Sequence, residues 1–254
     1  MSDLFDLTGK VAIVAGGAGG IGRALAVGLA EAGADIIVAD SRIDQLEEVA
    51  DKIRALGRQF LAVNVDITQE PSVANMVDTV LKEFKHIDIL VNAAGTIVRK
   101  TGEEIPIEEW QKVMDVNVRG VFICCQAVGR VMIKQGGGKI LSLSSVRGRF
   151  GADGAAAYSP SKGAIDSMTR TLAFEWAKYN IFVNAIAPCV IESDLTRPLL
   201  ADPETAKRLT GHIPFGRLAK TDDLIGPTLF LVSKASDFVT GQIIFVDGGY
   251  TIGM

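Results

Sequence analysis

Seven short apolar runs, separated by helical patterns, divide the chain from end to end, and this alternation most constrains its fold. The runs are KVAIVAG (10–16), ADIIVAD (34–40), QFLAVNVD (59–66), IDILVNA (87–93), GGGKILSLSS (136–145), IFVNAIA (181–187) and QIIFVDGG (242–249). Between them lie helical patterns at 20–32, closed by Gly33, and at 43–56, closed by Gly57. Others carry Pro71 in a first turn, run from about 107 to 134, begin near Tyr158 and end near Lys178, and span 221–233. Strands separated by helices need right-handed crossovers, which build a parallel sheet covered on both faces; strands buried on both sides are apolar throughout. With 254 residues, 48% of them hydrophobic, one large α/β core is within reach. There is no repeat, low-complexity segment or linker, so residues 1–254 are expected to form a single domain. The stretch 188–220 is long for a strand-to-helix connection and leaves a strand's C-terminal edge, where it is expected to act as a lid over a site.

Composition removes several classes. The net charge of −4 and the pI of 5.3 offer no surface for nucleic acid or an anionic membrane. The start, MSDLFDLTGK, lacks the basic and apolar regions of a signal peptide, and no apolar run is expected to reach membrane-spanning length. Cys124, Cys125 and Cys189 include an adjacent pair that bridges poorly, and the count is odd, so free thiols in a reducing, cytoplasmic setting are expected. His86 and His212 do not have metal-ligand spacing, so neither a zinc site nor a Ser-His-Asp triad is expected.

The first strand runs into AGGAGGIGRALAVGLA (15–30). Gly16, Gly20 and Gly22, with Ile21 between the last two, occupy a strand-to-helix turn. Glycines there let backbone N–H groups approach a pyrophosphate, and the helix N-terminus adds partial positive charge. No Lys-Ser/Thr follows the last glycine, so it is not a Walker loop. Asp40 ends the second strand eighteen residues after Gly22. A carboxylate there accepts the adenosine ribose hydroxyls and repels a 2′-phosphate, which favours NAD over NADP. Gly19 offers that phosphate no basic partner, whereas Arg42 could; Asp40 could also cap a helix near Ile43. Asp66 suits either the adenine amino group or a cap on the next turn.

In AAAYSPSKGAID (155–166), Tyr158 and Lys162 are one helical turn apart. An ammonium beside a phenol stabilises phenolate and makes tyrosine an acid/base. Pro160 is tolerated in a first turn. Together with AGGAGGIG (15–22), DILVNAAG (88–95), Asn117 in MDVNVRG, Ser145 in SLSS, VNAIAP (183–188) and VDGG (246–249), the motif resembles the short-chain dehydrogenase/reductase family over essentially the whole chain.

The resemblance implies a three-layer αβα Rossmann fold with seven parallel strands, and an active site of Asn117, Ser145, Tyr158 and Lys162. Ser145 is chosen over Ser144 because the family places its serine thirteen residues before the tyrosine. Tyr158 would exchange the proton with the substrate oxygen. Lys162 would lower the phenol pKa and bind the nicotinamide ribose, Ser145 would stabilise the substrate oxygen, and Asn117 would hold a water linking Lys162 to solvent. Asn92, Ala93, Gly95, Pro188, Ile191 and Ser193 would follow the cofactor, the last two at its carboxamide. The chain departs from the family at Ala15, Ala93, Phe182 and Ser193, and at Cys189, where glycine is usual beside the nicotinamide. A homotetramer is also implied, with helices 107–134 and 156–178 as the interface.

For substrate, Arg99 follows the fourth strand, and Arg147 and Arg149 follow Ser145. Guanidinium groups there, with Cys189 nearby, suit a carboxylate or polyhydroxylated molecule. The stretches NAAGTIVRK, AFEWAKYNIFVNAIAP, LADPE and GRLAKTDDLIGP look similar to the gluconate 5-dehydrogenase branch. The resemblance therefore points to an NAD-dependent polyol or sugar-acid dehydrogenase. Its alternatives are an NADPH ketoreductase of the 3-oxoacyl-[acyl-carrier-protein] type and, more remotely, a non-enzymatic nucleotide-binding sensor.

Overall fold

The computed structural model describes residues 2–192, 196 and 200–253. All seven expected strands form: β1 (Val11–Ala15), β2 (Asp35–Asp40), β3 (Phe60–Asn64), β4 (Ile89–Asn92), β5 (Gly138–Leu143), β6 (Ile181–Pro188) and β7 (Ile243–Val246). They pair in parallel in one sheet of order β3-β2-β1-β4-β5-β6-β7. The chain winds outward from β1 through β2 to β3, then returns to β4 and proceeds the other way. The switch point lies between β1 and β4, with Ala15 opposite Asn92. In such sheets the crevice at the C-terminal strand ends of the switch point receives ligands.

Alternation along the strands feeds two cores. Ile13, Ala15, Ile37 and Ala39 pack with α3 (Glu70–Phe84), α5 (Val121–Gln135) and α6 (Tyr158–Trp176). Ala12, Val14, Ile36 and Val38 face the other way, toward α1 (Gly20–Glu31), α2 (Glu47–Ala55) and α8 (Ile225–Val232). Each fully buried aliphatic side chain contributes roughly 1.5–3 kcal/mol. These faces make the three-layer αβα arrangement.

Several helices differ from the sequence expectation. The pattern at 43–56 is a 3-10 turn, Ile43–Gln45, followed by α2; that at 221–233 is likewise a 3-10 turn, Thr221–Leu224, and then α8. The stretch 188–220 contains α7 (Pro203–Gly211), capped by Asp202, whose carboxylate accepts from the Thr205 N–H at 3.0 Å.

The largest difference falls in the long helix. It is α4 (Ile107–Met114), a six-residue π-helical turn (Asp115–Gly120) and α5 in unbroken succession. The flanking Met114 and Val121 keep ordinary helical angles, so the periodicity passes smoothly through the turn. The combined helix Ile107–Gln135, with mean hydropathy 1.4 in its most apolar window, is long and apolar enough to cross a membrane. The sequence lacks an uninterrupted apolar run because Asp115 and Arg119 fall within this helix. Half of that window is buried, and α5 packs on β4, β5, β6 and α3, as a core helix does.

Candidate active site

The β1–α1 turn is pressed against the end of β4. Gly16 has φ +83°, and a Cβ there would lie 2.3 Å from the Ala94 nitrogen; a Cβ on Gly22 would lie 2.3 Å from the Gly16 carbonyl oxygen. Neither position accepts a side chain without moving backbone. Gly19 is the N-cap of α1 and has no side chain to offer, so the N–H groups of the first turn, Gly20, Ile21 and Gly22, are presented as helix starts present them to anions. A cavity of about 380 Å³ extends from this turn, lined by Gly16, Gly19, Asp40, Asp66, Ala93 and Gly95.

Asp40 is buried at the end of β2. Its Oδ2 accepts from the Ala18 N–H at 3.0 Å and its Oδ1 from the Arg42 N–H at 3.0 Å, while the Arg42 Nε lies 3.6 Å away. The 3-10 turn at Ile43 has no side-chain cap, so Asp40 ties the glycine turn to its own turn instead. Asp66 performs the local task foreseen for it: its Oδ1 accepts from the Thr68 N–H at 2.9 Å and the Thr68 hydroxyl at 2.7 Å. Asn92 lies at the end of β4. Its buried Nδ2 donates toward Cys125 Sγ and Ser142 Oγ, each at 3.3 Å, whereas its buried Oδ1 has no partner among the described residues.

Helix α6 starts at Tyr158 and carries Lys162 one turn on. Lys162 Nζ is 5.6 Å from the centre of the Tyr158 ring and donates to the Leu143 carbonyl at 2.6 Å. Asn117 lies in the π-helical turn, buried. Its Oδ1 accepts from the Thr96 N–H at 2.8 Å, and its Nδ2 donates to the Thr96 carbonyl at 2.9 Å and to Ser161 Oγ at 3.0 Å. Asn117 and Lys162 meet at Gly95, where a Cβ would stand 3.5 Å from Asn117 Oδ1 and 3.8 Å from Lys162 Nζ. Ser161, which the sequence reading does not single out, donates to the Tyr158 carbonyl at 2.7 Å. Its signal is position: a serine three residues after Tyr158 points along the same helix face.

Ser145 caps the 3-10 turn Val146–Gly148, accepting from the Arg147 N–H at 3.2 Å. Its hydroxyl lies 3.4 Å from the Pro188 carbonyl and shares a side-chain hydrogen bond with Tyr158. Ser144 points elsewhere, donating to Asp166 at 2.5 Å. Ile191 is buried, and its carbonyl accepts from the Thr196 hydroxyl; Ser193 lies outside the described residues.

Burial dominates the electrostatics. Desolvation pushes the half-buried Tyr158 phenol above its ordinary value, opposed by the hydrogen bond from Ser145 and by the charges of Arg99 and Arg147. Burial pushes Lys162 down to about 8, opposed by Asp166. The sequence reading expects Lys162 to lower the phenol; in this structure the net shift of the phenol is upward because desolvation outweighs the favourable partners.

A second cavity, about 390 Å³, brings Ser145 and Tyr158 together with Arg99, Arg147, Cys189 and, unforeseen, Arg208 and Tyr250. Arg149 is absent from it. Its guanidinium instead lies 5.7 Å from the Phe150 ring and 5.9 Å from the Phe245 ring, beside Asp166 and Arg170. Cys189 carries a thiol pushed up to about 11 by burial and by Asp247, so it is protonated at neutral pH and a poor nucleophile. A larger cavity, about 590 Å³, lies around Lys10, Asp88 and Gly138, at the N-terminal strand ends. Its charges pair with one another, Lys10 with Asp88 at 2.9 Å and Lys139 with Asp237 at 2.8 Å, and it is at the wrong edge of the sheet for Tyr158.

Residues 16–251 match the family described as Enoyl-(Acyl carrier protein) reductase. The chain is 43% identical over 247 residues, 97% of each protein, to a 2-dehydro-3-deoxy-D-gluconate 5-dehydrogenase of Dickeya dadantii. It is 42% identical over 250 residues, 98% of this chain and 96% of the other, to an NAD-dependent glycerol dehydrogenase of Listeria innocua. A gluconate 5-dehydrogenase from Burkholderia cenocepacia, solved in complex with NADP and tartrate, is 38% identical and superposes with a TM-score of 0.96, covering 100% of this chain and 99% of that one. Identity at this level, maintained from the glycine turn through the Tyr158 helix to the last strand, places the chain in the short-chain dehydrogenase/reductase family of oxidoreductases.

Proposed function

We propose that the protein interconverts a secondary alcohol and a ketone on a sugar acid, using a nicotinamide cofactor and Tyr158 as the acid/base. The observation that carries this reading is the cavity in which Ser145 and Tyr158 face Arg99 and Arg147: a proton-transfer pair beside fixed cations suits a hydroxy acid. The names of the Dickeya and Burkholderia relatives agree with it.

The residues fit the cofactor. The cavity beside the glycine turn has the helix start at one end and Asp40 at the other, and Gly95 leaves the space in front of Asn117 and Lys162 open. The glycine turn would hold the pyrophosphate, Asp40 the adenosine ribose and Lys162 the nicotinamide ribose; the bound nicotinamide supplies or takes the hydride. Tyr158 holds the proton that leaves or joins the substrate oxygen, and Ser145 donates a hydrogen bond to that oxygen, where negative charge builds. Lys162 places a positive charge behind the phenol. Asn117, fixed by Thr96 and Ser161, keeps the end of β4 in register with α6.

We assign NAD as the preferred cofactor on the strength of Asp40, whose carboxylate repels a 2′-phosphate. Arg42 beside it leaves room for NADP, which the Burkholderia enzyme carries; the Listeria enzyme is NAD-dependent. A ketoreductase acting on carrier-bound acyl groups would need a basic docking surface, which a chain of net charge −4 does not favour. A pure nucleotide sensor has no use for the Ser145–Tyr158–Lys162 constellation. We further propose that residues 1–254 act as one cytoplasmic domain within a homotetramer, with 188–220 over the substrate. Phe174, 88% exposed on α6, and Phe122 on α5 supply apolar surface for contacts between subunits.

The test is a substrate panel read at the NADH absorbance, with NADP in parallel. Turnover of gluconate-type acids with NAD, or of 5-keto sugar acids with NADH, supports the proposal. Inert sugar acids and polyols, with turnover of a β-ketoacyl thioester on NADPH, would reject it.

A further inference from the structure

The sugar-acid reading leaves open which group distinguishes an acid from a neutral polyol, and the following inference rests on that reading. Three arginines line the substrate cavity, Arg99, Arg147 and Arg208. Arg147 is pinned: Nη1 donates to the Gly151 carbonyl at 2.9 Å, Nη2 donates to the Tyr250 hydroxyl at 3.0 Å, and its guanidinium lies 5.6 Å from the Tyr250 ring centre. Tyr250 is itself buried in a turn built around Asp247, which accepts from the Gly249 N–H at 3.0 Å, the Thr251 N–H at 2.9 Å and the Thr251 hydroxyl at 2.6 Å. Held at both terminal nitrogens, Arg147 is fixed in position, with two of the roughly five N–H donors of a guanidinium already engaged within the protein. The charges of Arg99 and Arg147 also favour the ionised Tyr158 phenol.

Arg208 enters from α7, a separate element whose start is fixed by the Asp202 cap. A five-position reaction on a six-carbon acid puts the carboxylate four C–C bonds from the reacting carbon, about 5 Å away. The cation that meets it should come from a wall other than the one bearing the phenol. A guanidinium fork matches a carboxylate in two parallel hydrogen bonds, a geometry that lysine does not reproduce.

We propose that Arg208 is a specificity-determining residue that receives the substrate carboxylate, with Arg147, braced by Tyr250, as the fixed charge beside it. Arg208 is exposed, so its replacement leaves the core untouched. The test compares kcat/KM for a sugar acid with that for its neutral amide, at saturating cofactor, in the wild type and in Arg208→Gln and Arg208→Lys proteins. Loss of a charge-assisted hydrogen bond should reduce the acid-over-amide ratio by about 10–100-fold in Arg208→Gln. Most of that loss should appear in KM for the acid, and Arg208→Lys should recover part of it. An Arg208→Gln protein that keeps the wild-type ratio overturns the inference while leaving the sugar-acid reading intact. A wild type that turns over no sugar acid removes both.

Discussion

Asn117 Nδ2 donates to the Ser161 hydroxyl across 3.0 Å, joining the π-helical turn to the start of α6. Because that hydroxyl in turn donates to the Tyr158 carbonyl at 2.7 Å, the loop after β4, the π turn and the helix bearing the phenol form one hydrogen-bonded unit. Ser161→Ala leaves Asn117 with a buried donor lacking its acceptor, a cost of about 1–3 kcal/mol. A melting temperature lower by several degrees is expected, with kcat falling more than KM changes. Unchanged melting and unchanged kcat would remove Ser161 from the site's support.

Tyr158→Phe tests the chemistry directly. The ring still fills its place beside Ser145, but the proton has no carrier. Turnover should fall about 10²–10⁴-fold, while NADH binding, followed by fluorescence, remains close to wild type. Substantial turnover by this variant would make another group the acid/base.

The strands are legible in the sequence because burial on both faces of a parallel sheet demands continuous apolar runs, and the glycine turn because only glycine tolerates the approach of Gly16 to Ala94. The π turn at Asn117 is not, since one wider turn leaves the helical periodicity on either side intact. Arg149 departs from the sequence expectation for a geometric reason. It follows Arg147 by two residues through a 3-10 turn, and two steps at three residues per turn rotate a side chain by about 240°. Arg208 has no local pattern that could reveal it, because it shares a cavity with Tyr158 only through the tertiary placement of α7.

Lys162 makes stability depend on pH with a definite sign. Burial lowers it from 10.5 to about 8 in the folded protein, so between pH 8 and 10.5 the unfolded chain binds more protons. Its contribution to stability therefore rises with pH across that window, and is lost as pH falls through about 8. Lys162→Met removes the group. Relative to this variant, the wild type should gain stability from pH 8 to 10.5, as measured by denaturant unfolding. A stability difference that is flat or reversed over that range would contradict the buried-charge assignment.

Asp166 should move the same titration. It lies one turn after Lys162 on α6, buried, accepts from Ser144 at 2.5 Å, and holds the Lys162 pKa up against burial. Asp166→Asn preserves the acceptor and removes the charge. The limb of the kcat/KM profile that belongs to Lys162 should shift to lower pH, whereas Ser144→Ala, which leaves the carboxylate in place, should shift it less. An identical profile in wild type and Asp166→Asn would leave Asp166 with a packing role only.

The proposed NAD preference rests on Asp40. Its two oxygens accept from the N–H groups of Ala18 and Arg42, so the carboxylate ties the glycine turn to the end of β2, and in the proposed cofactor pose it also sets negative charge against a 2′-phosphate. Asp40→Ser separates these roles, because a serine hydroxyl still accepts one backbone hydrogen bond but carries no charge. Without the carboxylate, the Arg42 side chain, 3.6 Å away and largely exposed, is freed to meet a phosphate. The ratio of kcat/KM for NAD to that for NADP should fall at least about tenfold. That is the scale of one charge-assisted hydrogen bond made to NADP, together with a ribose hydroxyl of NAD left without its acceptor. If both cofactors weakened equally, the carboxylate would matter only for holding the turn, and the proposed NAD preference would lose its basis in Asp40.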